Sequence, residues 1–207
     1  MSRPPALLEV RALRFAWPGH PVFEHLDFDL PTGLSLVTGE DGCGKSTLLR
    51  LIAGELRADA GTLRLNGSPL TPQDPGWREQ VFWIDPQTEA HDAISAGGYL
   101  ESLHRHYPDF STEALADLID GFDLQPHLTK PLYMLSTGSK RKVWLTAAFA
   151  AGTRLTLIDQ PFAALDAPAI RFLRELLQEV ADHPGRAWLI ADHAPPPGVL
   201  LAGSLTL

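Results

Sequence analysis

With 207 residues, 44% hydrophobic and 20% charged, the chain is long enough for one well-buried domain, or one carrying a smaller subdomain. Its net charge of −8 argues against a nonspecific nucleic-acid binder, whose electrostatic footprint is basic. A single cysteine excludes an internal disulfide framework, and the absence of a leader pattern or a bilayer-length apolar run predicts a protein that is cytosolic or held at a membrane through a partner.

Residues 1–5 are a polar, proline-bearing start that is expected to be loosely held. Residues 7–13 alternate as a strand, and Phe15-Ala16-Trp17-Pro18-Gly19 reads as an aromatic pair running into a turn. Residues 22–23 and 26–30 alternate again, Pro31-Thr32-Gly33 is a turn, and 34–38 is a short apolar strand. Then comes Gly39-Glu40-Asp41-Gly42-Cys43-Gly44-Lys45-Ser46-Thr47, which fits the phosphate-binding P-loop pattern G-x-x-x-x-G-K-[ST]. Glycines let the backbone curl with its N–H groups inward, as a nest for phosphate oxygens. Lys45 adds a charge that can reach the β- and γ-phosphates, and Ser46 supplies a hydroxyl for Mg²⁺. Cys43 reads as a small residue tolerated in that loop. Leu48, Leu49, Leu51, Ile52 and Ala53 then share one side of a helix stopped by Gly54, so strand, loop and helix occur in the order that sets a helix N-terminus against an anion.

Further along, 62–65 alternates as a strand closed by the hairpin pair Asn66-Gly67, residues 68–77 carry three prolines and read as loop, and 81–84 is a short apolar strand ending at Asp85-Pro86-Gln87. From 88 onward the pattern turns helical. Ile94, Tyr99, Leu100 and Leu103 suggest one helix, and 112–122 a second with Ser111 as its cap. Leu135-Ser136-Thr137-Gly138-Ser139 opens a helix over 140–150. Residues 155–159 are a buried strand finishing on Asp159, Ile170, Leu173, Leu176, Leu177 and Val180 repeat at helical spacing, and 187–191 is a strand ending at Asp192-His193. Residues 200–207 allow one last short strand. Strands alternating with helices predict an α/β P-loop NTPase core with a mainly parallel sheet, and the closely spaced early strands predict an antiparallel β layer beside it. Residues 1–87 and 152–207 are assigned to the nucleotide-binding core and 88–151 to a helical subdomain, within one domain over 1–207. His91, His104 and His106 are read as a solvated polar face, because alternating positions on a helix do not share a side.

The combination of P-loop, Leu135 to Ser139, strand-ending Asp159 and Asp192-His193 resembles the ATP-binding cassette (ABC) ATPases, the motor subunits of ABC transporters, over nearly the whole chain and in the family's order. Ser136 and Gly138 match the family's Leu-Ser-Gly-Gly-Gln signature, while Thr137 and Ser139 depart from it. The resemblance implies Asp159 as the Walker B carboxylate holding Mg²⁺ beside Ser46, and Gln87 as the residue sensing Mg²⁺ and the attacking water. It also implies a D-loop at Ala164-Leu165-Asp166, His193 on the γ-phosphate and Trp17 stacked on adenine. ATP and Mg²⁺ are the implied cofactors. The signature would meet the P-loop of a second cassette, so that two chains clasp two ATP head to tail, and a separate membrane permease would dock on the helical insertion and the Gln87 loop. Without a spanning segment the cassette would sit peripherally at the cytoplasmic face of the membrane. Small cassettes of this layout are similar to the haem-export subunit of cytochrome c maturation, and the short stretch after His193 leads to the expectation of no C-terminal regulatory domain.

After Asp159 the family usually places a glutamate that polarises the attacking water, whereas this chain has Gln160. An amide can hydrogen-bond that water but cannot take its proton. Either the natural cassette hydrolyses poorly or a glutamate was replaced to hold the ATP-bound dimer, and the intact surroundings (Asp159, Pro161, Asp166, His193) favour the second. A regulatory, ATP-binding cassette paired with an active one, and a soluble non-transport cassette, are the alternative readings. The latter usually carries a long coiled-coil insertion or two cassettes per chain, and neither is present.

Overall fold

The computed structural model describes residues 6–70 and 75–207, so the start over 1–5 and part of the loop expected over 68–77 lie outside the described residues. Four strands form an antiparallel layer in the order β2-β1-β4-β5: β1 (Leu8–Trp17), β2 (His20–Leu30), β4 (Ala60–Leu65) and β5 (Ser68–Pro69). Five strands form a wholly parallel sheet in the order β6-β7-β8-β3-β9, made of β3 (Gly33–Thr38), β6 (Val81–Phe82), β7 (Leu155–Asp159), β8 (Ala187–Ala191) and β9 (Gly203–Thr206). Period-two alternation divides the parallel sheet's side chains between two cores. Val37, Leu155, Leu157, Leu189 and Ala191 pack with the antiparallel layer and α1 (Lys45–Ile52). Leu34, Leu36, Ile158, Trp188 and Ile190 pack instead with α3 (Ala96–Ser102), α4 (Thr112–Gly121), α5 (Thr137–Ala150) and α6 (Ala167–Glu179). Helices on both faces are what a parallel sheet requires, since each of its strands is buried twice.

Several expectations need correction. Phe15 and Trp17 do run into a turn, at Pro18-Gly19, but they do so as the end of β1, which extends past the expected limit at 13 and pairs Phe15 with Phe23 and Trp17 with His20. Register shifts between Val10 and Ala16, with Ala12 at φ 48°, break the alternation there and hide the strand's second half. The stretch 68–77 is not all loop, because β5 pairs back on β4 across Asn66-Gly67, and Pro75 begins a short helix, α2 (Pro75–Gln80), that buries Trp77. Strand β6 is two residues long rather than 81–84. Ile94 lies outside α3 and is 40% exposed, while Leu103 begins a 3-10 turn (Leu103–Arg105). The helix expected over 140–150 starts at Thr137, with Ser136 as its N-cap. Ser111 caps α4 as expected, its Oγ accepting from Ala114 N at 3.1 Å. His104 packs on Phe110 and His91 on Tyr99, at ring distances of 4.3 and 4.9 Å.

This topology decides where the chemistry gathers. In the order β7-β8-β3, the carboxyl ends of three parallel strands lie side by side, and they carry Asp159, Asp192 and the P-loop respectively. Ligands of open α/β sheets bind along that edge.

Candidate nucleotide site

The P-loop leaves β3 and closes onto α1 through three glycines at positive φ, Gly39, Gly42 and Gly44, and Gly44 is the one set against β2. At φ +106°, a Cβ there would come within 2.6 Å of Val22 Cγ1 and 3.0 Å of Phe23 Cζ, so only glycine lets the loop lie against β2. The Lys45 ammonium turns into the loop, donating to Gly39 O at 2.8 Å and Glu40 O at 2.9 Å, 3.9 Å from Cys43 Sγ. Asp41 and Gly42 stand exposed at the tip, and Thr47 follows in the first turn of α1.

Asp159 and Ser46 meet although 113 residues separate them: the Ser46 hydroxyl donates to Asp159 Oδ2. The other carboxylate oxygen, Oδ1, is buried without a hydrogen-bond partner. A hydroxyl beside an unsatisfied carboxylate oxygen is the hard, all-oxygen donor set that Mg²⁺ takes when phosphates complete its shell, so Ser46 and Asp159 fit that ion. Burial raises the Asp159 pKa, against the opposing pull of the Ser46 hydrogen bond and of Arg141 and Lys45. Because the folded-state pKa lies above the unfolded one, the ionised carboxylate costs stability above the folded pKa, and that cost vanishes as the pH falls to the ordinary carboxylate range. Asp159→Asn is therefore expected to raise the melting temperature of the nucleotide-free protein by a few °C at pH 7, with the gain shrinking towards pH 4, while weakening Mg²⁺-dependent ATP binding. Thermal melts at the two pH values and ATP titrations with and without Mg²⁺ check both halves.

Of the remaining predicted residues, His193, Gln160 and Gln87 fall near this pair. His193 Nε2 lies 3.6 Å from Asp41 Oδ1, which places the histidine beside the P-loop, although a contact this exposed contributes little energy. Gln160 follows Asp159 with its side chain exposed and its N–H on Ala191 O at 2.8 Å. Gln87 is exposed in a turn, its N–H held by Asp85 Oδ1 at 2.9 Å, and the adjacent Pro86 lines a small cavity together with Asp159. Trp17, 38% exposed, sits edge-on to Phe15 at 5.0 Å, and Phe15 pairs with the Phe23 that touches Gly44. Ser136 and Gly138 are elsewhere. Among the described residues no hydrogen bond joins them to 39–47; the Ser136 hydroxyl caps its own helix, accepting from Ser139 N at 3.1 Å. Gly138 lies against the loop after β7, where a Cβ would come 2.4 Å from Ala164 O.

Two contacts escaped the sequence reading. Arg141 Nη1 donates to Asp159 O at 2.7 Å, and Lys142 pairs with Asp166 at 2.7 Å while Asp166 also caps α6 through Ala169 N. Their signal was present, since 138, 141 and 142 share one helical face, but its target was not.

Comparison with known proteins agrees with this geometry. The ABC transporter family matches residues 23–163. The cytochrome c biogenesis ATP-binding export protein CcmA of Pseudomonas syringae is 33% identical over 190 residues, covering 90% of this chain and 88% of that protein. Its counterpart from Escherichia coli O157:H7 is 31% identical over 192 residues, covering 91% and 90%. A solved ATP-binding subunit of an ABC transporter superimposes with a TM-score of 0.80 at 27% identity, over 90% of this chain and 79% of that one. A putative ABC transporter ATP-binding protein from Pyrococcus furiosus, at 22% identity over 97% and 96%, shares the fold with a TM-score of 0.77. With an α/β P-loop core, a Ser46–Asp159 pair at its sheet edge and these relatives, the chain belongs to the ABC transporter ATP-binding family and is an ABC ATPase subunit.

Proposed function

We propose that this chain is the ATP-driven motor of a separate membrane permease, acting as a head-to-tail pair of cassettes at the cytoplasmic face of the membrane. The observation that carries the reading is the hydrogen bond between Ser46 and Asp159, which brings a P-loop hydroxyl and a strand-end carboxylate to one point beside Lys45. Residues 39–47 would wrap the phosphates of ATP, Lys45 would neutralise them, and Trp17 would lie along the adenine. When bound, Mg²⁺ would be held by Ser46 and Asp159, with Gln87 close by, and would offset charge between the β- and γ-phosphates. Gln160 would orient the attacking water without accepting its proton, and His193 would hydrogen-bond the γ-phosphate. We read Gln160 as standing where a glutamate would complete the motor, so that hydrolysis by this chain is slow.

Ser136 and Gly138 are exposed or half-exposed at the N-terminus of the 14-residue helix α5, which supports a second phosphate site presented to another cassette. The helical subdomain over 88–151 would move with that site. Between it and the core runs a groove of about 780 Å³ lined by Trp83, Ile84, Tyr99, Arg105 and Tyr107, which supports docking of a permease helix there. Among the described residues no helix is long and apolar enough to cross a membrane, in keeping with a permease on another chain. The named relatives support export in cytochrome c biogenesis as the transport class. Gln160 and the departures at Thr137 and Ser139 favour, as a second reading, a regulatory cassette paired with an active one.

The test is mass by light scattering with and without Mg²⁺-ATP. The expected result is a monomer that becomes a persistent dimer on ATP, and a Ser136→Arg chain that binds ATP but stays monomeric. A chain that binds ATP yet never pairs, alone or with its permease, contradicts the clasp.

A further inference from the structure

The peptide unit between Asp159 and Gln160 is fixed at both polar ends by different elements. Its N–H donates to Ala191 O on β8 at 2.8 Å, and its C=O accepts from Arg141 Nη1 on α5 at 2.7 Å. On the far side of β7, β6 pairs only with Leu155 and Thr156, so no β6 residue is in register with Asp159 and the guanidinium occupies that side. Gln160, immediately beyond, has φ +45°, a backbone region that a non-glycine residue keeps only where its surroundings over-determine it. The two hydrogen bonds supply that determination. Arg141 is half-buried, and burial lowers its pKa while Asp159 and Asp192 raise it. A guanidinium stays charged throughout, so its hydrogen bond to the carbonyl is charge-assisted. The same face of α5 seats Gly138 against Ala164 O and pairs Lys142 with Asp166, so the first turns of this helix grip residues 159–166 at three points.

We propose that Arg141 is a positioning residue. By holding the Asp159 carbonyl it fixes the direction in which the side chain at 160 leaves the backbone, and it makes that direction depend on the seating of α5, the helix whose N-cap is Ser136. The signature end of the helix and the water-facing side chain of the same chain are thereby linked through one hydrogen bond. The kinetic consequence rests on the ATPase reading above, whereas the backbone consequence does not.

The experiment compares Arg141→Met, Arg141→Lys and Lys142→Met in the full chain. In the nucleotide-free protein, amide hydrogen exchange at Gln160 is expected to quicken at least tenfold in Arg141→Met, to be intermediate in Arg141→Lys, and to change less than threefold in Lys142→Met, with β3 amides unaffected. In a Gln160→Glu background, Arg141→Met is expected to lower kcat at least tenfold with KM for ATP held within threefold, and Arg141→Lys to recover part of the loss. Unchanged exchange at Gln160 overturns the proposal. So does an equal effect of Lys142→Met, which would reduce Arg141 to one of two helix tethers. Should Arg141→Met fail to fold, Arg141→Lys against Lys142→Met decides the same question by the same readouts. A Gln160→Glu chain without ATPase activity would instead overturn the motor reading and leave the exchange result to judge the positioning role.

Discussion

Replacing Gln160 by glutamate is expected to raise steady-state ATP turnover on the order of 10²–10⁴-fold, the range that a positioned general base contributes. The backbone is prepared for it. Gln160 sits one residue past the Mg²⁺-type pair Ser46–Asp159, its N–H is tied to Ala191 O at 2.8 Å, and its side chain is exposed to where a water would approach. Glutamate has the same length and branching as glutamine, so the substitution changes what the side-chain end can do with a proton and little else. Purified chain, alone and with the proposed permease partner, assayed beside the Gln160→Glu version, gives the answer. A gain of at least a hundredfold, with an ATP-bound dimer that persists in the glutamine form and dissolves in the glutamate form, makes the site a complete motor. If both forms are inactive and only a different partner cassette hydrolyses ATP, the regulatory reading takes over and the role assigned to position 160 falls.

Lys45→Ala is expected to weaken ATP binding by roughly 10²–10⁴-fold, whatever occupies position 160. The Lys45 ammonium makes two charged hydrogen bonds inside the loop, to Gly39 O and Glu40 O, and is 7% exposed. With nucleotide bound, those donors would serve phosphate oxygens, each charged hydrogen bond contributing about 1.5–3 kcal/mol, and two of them convert to the stated range at about 1.4 kcal/mol per decade. The fold should tolerate the change, because Gly39 and Glu40 lie in a half-exposed to exposed loop where water can serve their carbonyls. Titration with a fluorescent ATP analogue measures the loss, and a melting temperature within a few °C of the parent separates it from unfolding. Retained affinity in Lys45→Ala would mean that the loop over 39–47 does not hold the phosphates.

How much of this could be read before folding depended on whether the information was local. The P-loop was legible because its chemistry is a property of nine consecutive residues and of the strand and helix that flank them. Asp159 and His193 were legible as ends of apolar strands, and Ser111 as a cap, since a cap is a relation between residues three apart. The second half of β1 was not legible: bulges around Ala12 and Arg14 interrupt the alternation, and it is pairing with β2 that keeps Trp17 extended, opposite His20. Ile94 carried the right apolarity for a helix, but its carbonyl accepts from Leu132 N, so a contact distant in sequence claims it first.

The sequence by itself determined the local parts of this protein: a phosphate loop, strand ends bearing carboxylates and a histidine, a helix opening at the Leu135 to Ser139 motif, and Gln160 where the resembled family usually has glutamate. Each of these is local, held within nine or fewer consecutive residues, and the meaning of Gln160 comes from the family resemblance. Only the tertiary structure decided which of them meet. The order β7-β8-β3 brings Asp159 to Ser46 and His193 to Asp41, because parallel strands must stack their carboxyl ends on one edge. Packing of α5 on β7 places Arg141 on the Asp159 carbonyl, a partner that no pattern within the helix could name, since a half-buried guanidinium finds its acceptor through the fold and not along the chain.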